Sequence, residues 1–157
     1  MSRPRRLPAF SYVGCHQYFL TICAYKRRPV FAEGAVAAHA LLEFRRTAAR
    51  EGFVILAYCM MPDHVHLLVE GTQDRSDLCR FVRTAKRQSS YAYARTHGAA
   101  LWQEGYHDRV LRQADDARAL ARYILNNPVR AGLARSPEEY PHLGSDVWLL
   151  RELLDSI

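Results

Sequence analysis

Three short stretches hold residue types whose spacing could do chemistry. The first is His64-Val65-His66. On an extended chain, side chains at i and i+2 leave the same face, roughly 6.6 Å apart at their Cα atoms, so two imidazoles can converge on one divalent cation. Asp63 stands beside them and can order the pair or approach the ion. The plainer alternative is two half-exposed histidines bonded to their neighbours, and H-x-H alone leaves both readings open. The second stretch holds Tyr123 and Asn127 in a segment with helical period. Its apolar residues Ala117, Leu120, Ala121, Ile124 and Leu125 form one stripe, with Tyr123 about 130° from the stripe's centre and Asn127 one turn further along that flank. A phenol and an amide thus sit side by side off the core face, though a boundary tyrosine with an Asn cap gives the same pattern. The third stretch runs from Arg75 to Arg95, where Arg75, Arg80, Arg83, Lys86, Arg87 and Arg95 face one acid, Asp77. Arg80, Arg83 and Arg87 share a helical face, and Tyr91 and Tyr93 follow, able to stack on exposed bases. A solvated helix face is the ordinary reading of such a run.

Several enzyme classes that use H-x-H are excluded here. The barrel that carries amidohydrolase-type sites needs roughly 200 residues or more, and this chain has 157. A histidine-triad hydrolase needs a third histidine at position 68, which is Leu. Zinc deaminases need H-x-E and P-C-x-x-C, and neither occurs.

These residues must be positioned by regular elements, and the elements are legible. Tyr18 to Ala24 is aromatic and β-branched and reads as a strand. A helix over about Val36 to Arg50 follows, with Gly52 as its stop. Phe53 to Met60 and His64 to Glu70 read as two strands of a hairpin broken at Met61-Pro62-Asp63. Ser76 or Asp77 can cap a long helix to about Thr96, ended by Gly98. Tyr106 to Leu111 reads as a fourth strand, and Asp115 starts a last major helix that stops before Pro128. The order predicts an α+β fold: a ferredoxin-like β-α-β-β-α-β core plus a C-terminal tyrosine helix. The antiparallel sheet would have about four to five strands, with helices packed on one face and the other face free to carry a site. Residues 1–9 read as a flexible basic arm with Arg3, Arg5 and Arg6, residues 10–143 as the domain, and 144–157 as a tail with a short helix near Val147 to Leu154.

Composition narrows the partners. The hydrophobic fraction of 49% supports a real core. The net charge of +6 suits nucleic acid, an anionic membrane or plain solubility. Five of those six charges lie between Arg75 and Arg95, which favours nucleic acid. No apolar run is long enough for a membrane span and the N-terminus lacks a signal peptide, so a cytoplasmic protein is expected, nucleoid-associated if it binds DNA. The four cysteines have no metal-site spacing and are expected to be reduced.

Taken together, the stretches resemble a known family. Tyr58-Cys-Met-Met-Pro-Asp-His-Val-His-Leu-Leu-Val69 resembles the signature strand of single-tyrosine HUH transposases, in which two histidines flank a bulky hydrophobic residue. Tyr123-Ile-Leu-Asn-Asn-Pro-Val-Arg-Ala-Gly-Leu133 resembles the tyrosine helix of the REP-associated tyrosine transposases. Leu101 to Arg112 looks like that family's middle segment, and Tyr18 to Phe31 fits its first strand and turn.

The resemblance implies a transposase-like single-stranded DNA endonuclease and strand-transferase that cleaves at DNA hairpins through a 5′-phosphotyrosine. Tyr123 would be the nucleophile. His64, His66 and Asn127 would hold a divalent metal, Mg²⁺ or Mn²⁺. Asp63, Asp108 and Arg112 would support the site. Arg3, Arg5, Arg6, Arg80, Arg83, Lys86 and Arg87 would hold DNA, and a monomer is expected over a helix-exchanged dimer. Two rivals fit the same residues: a domesticated hairpin-binding protein without turnover, and a small metal-dependent phosphohydrolase using activated water.

Overall fold

The computed structural model describes residues 6–113 and 115–155. Five strands form one sheet: β1 (Gln17–Cys23), β2 (Phe53–Met61), β3 (His64–Gly71), β4 (His107–Val110) and the two-residue β5 (Leu143–Gly144). Their order is β4-β1-β3-β2-β5, and every pairing is antiparallel. The first four follow the ferredoxin-like order, as the element sequence predicted.

Helices α1 (Gly34–Glu51) and α2 (Leu78–His97) share one face of the sheet. Both stop where the sequence indicates, at Gly52 and Gly98, which adopt left-handed φ of 74° and 63° that a glycine takes without steric cost. Asp77 caps α2, its carboxylate accepting from the Arg80 amide. The core on this side packs Tyr18, Leu20, Ile22, Val65, Leu67 and Val69 from the sheet against Phe44, Phe81 and Val82 from the helices.

Helix α3 (Ala117–Leu125) and α5 (Leu150–Asp155) cover the opposite face. Ala121, Ile124, Leu125 and Leu153 pack there with Leu56, Cys59, Met61 and Leu68. The sheet is therefore helix-covered on both sides, two long helices on one face and the tyrosine helix on the other. A bulge in β2 makes this possible. The β2–β3 register shifts between Ile55 and Ala57, so Leu56 and Ala57 both belong to the second core, and Cys59 and Met61 follow on that face.

The segment after 143 is not a free tail. Gly144 pairs with Tyr58 in β2, the Asp146 amide donates to the Ile55 carbonyl, and Arg45 holds Asp146 at 2.6 Å. Leu153 is fully buried. Nothing in the sequence period signals β5, because two residues carry no alternation. No helix among the described residues is long and apolar enough to cross a membrane.

Candidate metal and nucleophile site

His64 and His66 leave β3 on the face that α3 covers, because Val65 and Leu67 alternate into the other core while Leu68 shares theirs. Each ring is fixed by a different neighbour. His64 Nδ1 lies 2.7 Å from Asp63 Oδ1. His66 Nδ1 lies 3.0 Å from Thr21 Oγ1, since the β1–β3 register sets Thr21 directly opposite His66. The Phe19 ring stacks on the His66 ring at 5.4 Å between centroids. The remaining nitrogens face each other, with His64 Nε2 and His66 Nε2 3.1 Å apart.

The electrostatics favour a neutral His66 ring. Burial lowers the His66 pKa to about 4, helped by the charges of His64, Arg130 and Arg27. Burial alone would raise the Asp63 pKa, but hydrogen bonds from His64 and Arg27 outweigh it and the net shift is downward. Asp63 is therefore a carboxylate that only accepts, so the His64 Nδ1–H donates to it and Nε2 is the nitrogen turned toward His66. Arg27 Nε reaches Asp63 Oδ2 at 2.8 Å and so fixes the second carboxylate oxygen. Lys26 and Arg27 both adopt left-handed φ, 53° and 54°, in the turn that delivers that guanidinium.

This donor set fits a divalent cation. Two nitrogens set cis on an octahedral ion at about 2.1 Å would stand about 3.0 Å apart, close to the Nε2 spacing here. The Thr21 hydroxyl can donate to or accept from His66 Nδ1, so it tolerates the tautomer that frees His66 Nε2 for an ion. Among the described residues no group of three His, Cys, Asp or Glu converges. Asn127 is the candidate the sequence supplies, but its placement differs from expectation. It opens the short α4 (Asn127–Arg130) instead of extending α3. Helix α3 ends because the Asn126 side chain donates to the Arg122 carbonyl and Pro128 offers no amide to continue the ladder.

Tyr123 lies outside the buried stripe of α3, as the helical period predicted, and is 55% exposed. Asp116 caps the helix, accepting from the Arg118 and Ala119 amides at 2.9 and 3.1 Å. The Arg130 guanidinium lies over the Tyr123 ring, 3.8 Å from its centroid.

Other expected residues sit elsewhere. Asp108 pairs across from Leu20, so it faces the α1/α2 side, where it acts on Tyr12 and not on the histidines. Arg112 follows β4 in an exposed loop, its amide held by Asp115. Helix α2 lies on the sheet face opposite His64 and His66, so the basic face of Arg80, Arg83 and Arg87 is not beside the pair. Arg80 also pairs with Glu51 at 3.1 Å. Lys86 turns inward: its Nζ donates to the Gln103 and Gly105 carbonyls, both at 2.8 Å, and burial lowers its pKa to about 8. Its four-carbon stem spans from the helix to that loop, so its ammonium is turned away from the exposed face of Arg83 and Arg87. Arg6 stacks on Tyr106 at 4.7 Å, while Arg3 and Arg5 lie outside the described residues. Sequence reasoning missed Thr21, Arg27 and Arg130. The first two depend on strand register and a turn; Arg130 lay within the tyrosine-helix motif without a role.

Comparison with known proteins bears on the family and the fold. Residues 12–127 match the family model described as Transposase IS200 like. The REP-associated tyrosine transposase of Escherichia coli K12 is 24% identical over 132 residues, 83% of this chain and 76% of that protein. A Haemophilus influenzae protein named for the same group is 22% identical over 110 residues, 63% of this chain and 62% of its own length. The chain thus spans less than two thirds of that relative. Among solved structures, a REP-associated tyrosine transposase bound to a REP hairpin superposes with a TM-score of 0.72 at 23% identity, covering 91% of this chain and 82% of that one. The fold and the family-model match together place this chain in the IS200-like transposase family.

Proposed function

We propose that this chain nicks and rejoins single-stranded DNA at hairpins of the REP type, by a metal-dependent reaction through a 5′-phosphotyrosine. One observation carries the reading: the Nε2 atoms of His64 and His66 converge, their Nδ1 atoms held from behind, on the sheet face that α3 crosses with Tyr123 on its flank. The hairpin follows from the solved relative, a REP-associated tyrosine transposase bound to a REP hairpin. A divalent ion, Mn²⁺ or Mg²⁺, held by His64 and His66 with Asn127 as a further ligand, would supply positive charge to the phosphate's non-bridging oxygens. Asp63 and Thr21 keep both rings in the ligating orientation, and Arg27 keeps Asp63 ionised.

The Tyr123 Oη attacks phosphorus as the bond from phosphorus to the 3′ oxygen breaks. The phenol gives up its proton, the departing 3′ oxygen gains one, and the products are a 5′-phosphotyrosine and a free 3′-OH. A phosphodiester is replaced by a phosphodiester, so rejoining to another 3′-OH needs no nucleotide cofactor. Acting on genomic DNA, the protein would work at the nucleoid.

The test is a nicking assay on single-stranded hairpin DNA with Mn²⁺ or Mg²⁺. Wild type should give a covalent protein–DNA adduct that survives denaturation, and Tyr123→Phe should give none. Equal cutting by Tyr123→Phe, with loss in His64→Ala, would instead identify a phosphohydrolase using water. Salt-dependent hairpin binding with no product under either metal would identify a binding module.

A further inference from the structure

Arg130 has no role in the sequence motifs, yet its surroundings single it out. It lies seven residues beyond Tyr123, at the end of α4, and side chains on helices lean toward the N-terminus. The guanidinium thus reaches back over the preceding turns and rests on the Tyr123 ring, 3.8 Å from the centroid. A cation at that distance over an aromatic face is held by the ring quadrupole. Stacking occupies the flat face of the guanidinium and leaves its in-plane N–H donors free. Among the described residues no carboxylate pairs with Arg130, whereas Arg27, Arg45, Arg80 and Arg109 each have one. The guanidinium thus stands over the Tyr123 ring, exposed to solvent and, among the described residues, without a carboxylate partner.

A phosphodiester supplies that anion. Its two non-bridging oxygens match the planar fork of an arginine better than the point charge of a lysine. We propose that Arg130 binds a non-bridging oxygen of the scissile phosphate and, by the same guanidinium, holds the Tyr123 ring against it. The phosphate keeps one negative charge before attack, as a diester, and after it, as the phosphotyrosine diester. The contact can therefore persist through both cleavage and rejoining. No proton or electron moves through Arg130.

This inference rests on the proposed function, and the experiment separates the two. Full-length wild type, Arg130→Ala and Arg130→Lys are compared on hairpin DNA at saturating concentration in a single turnover. Adduct formation should slow about 100-fold in Arg130→Ala, the scale seen for loss of one charge-stabilising donor, with only partial recovery in Arg130→Lys. The decisive substrate carries a neutral methylphosphonate at the scissile position. There the wild-type and Arg130→Ala rates should converge, because the charge that Arg130 reads is gone. A merely structural role would leave the ratio unchanged. A second arm needs no cleavage and no metal: hairpin affinity is measured in chelator for Tyr123→Phe, with and without Arg130→Ala, on both substrates. Arg130→Ala should weaken binding to the natural phosphate and not to the methylphosphonate. An Arg130→Ala loss equal on both substrates, or no loss, would overturn the inference. Failure of wild type to form any adduct would overturn the proposed function while the binding arm still decides whether the arginine reads the phosphate.

Discussion

At His66 a single ring carries two consequences of burial. The ring is kept neutral, which a metal ligand must be, and that neutrality makes the fold sensitive to acid. The folded pKa is about 4 against the ordinary 6.5, so between those values the unfolded chain binds the extra proton. Stability is therefore full above about pH 6.5 and is lost as pH falls toward 4. A shift of that size corresponds to about 3 kcal/mol. Urea melts of the metal-free protein at pH 4.5 and pH 7 should show a larger loss for wild type than for His66→Gln, which has no proton to gain. An equal loss in both would mean that the ring is not held neutral. The supporting residues explain why sequence could name the two histidines and not the groups that hold them. His64 and His66 announce themselves by a spacing of two. Thr21 acts from 45 positions away and Arg27 from 36, through register and a left-handed turn.

For the elements, helix α3 shows how a short segment places an exposed tyrosine. It has nine residues, too few to be stable alone, so its caps and its buried stripe must hold it. The stripe was readable from the 3.6-residue period, and the structure buries Ala121, Ile124 and Leu125 as that period requires. The start differed by a residue or two: Asp116 and not Asp115 is the cap, because its carboxylate meets the two free amides that follow. Asp116→Ala should cost about 1 kcal/mol in chemical denaturation and loosen Tyr123 while leaving hairpin affinity close to wild type. Full stability with slowed adduct formation would contradict the first half of that expectation. The other end was not readable. Helical period carries Asn127 onto the tyrosine flank, but the Asn126 side chain closes α3 and a new short helix begins. The bulge at β2 was invisible for a related reason. An unbroken apolar run looks the same with or without a shift of face.

Across the molecule, the two faces of the sheet divide the work. His64, His66 and α3 lie on one, the exposed arginines of α2 on the other. Charge concentration between Arg75 and Arg95 favoured nucleic acid, and the fold sets that charge on the face opposite the histidine pair. If α2 holds DNA, it does so for a part of the hairpin distant from the scissile phosphate. Arg83→Glu with Arg87→Glu should then weaken hairpin affinity and reduce its dependence on salt by about one unit of slope for each phosphate no longer neutralised. At saturating DNA the rate of adduct formation should stay near that of wild type. A large fall in that rate with unchanged affinity would place α2 at the site instead. Lys86 is left out of this pair because its Nζ donates to the loop carbonyls of Gln103 and Gly105.

The sequence by itself determined the element order, the ferredoxin-like alternation, the two imidazoles on one strand face and the phenol on a helix flank. Each is local: a period of two or of 3.6 assigns a side chain to a face without reference to the rest of the chain. Tertiary structure alone decided which faces meet. Strand order and register set Thr21 against His66, the β2 bulge turned Cys59 and Met61 toward α3, and the break at Asn126 positioned Arg130 over Tyr123. These contacts join residues from different elements or across a helix break. They follow from how whole surfaces pack, and no spacing along the chain encodes them.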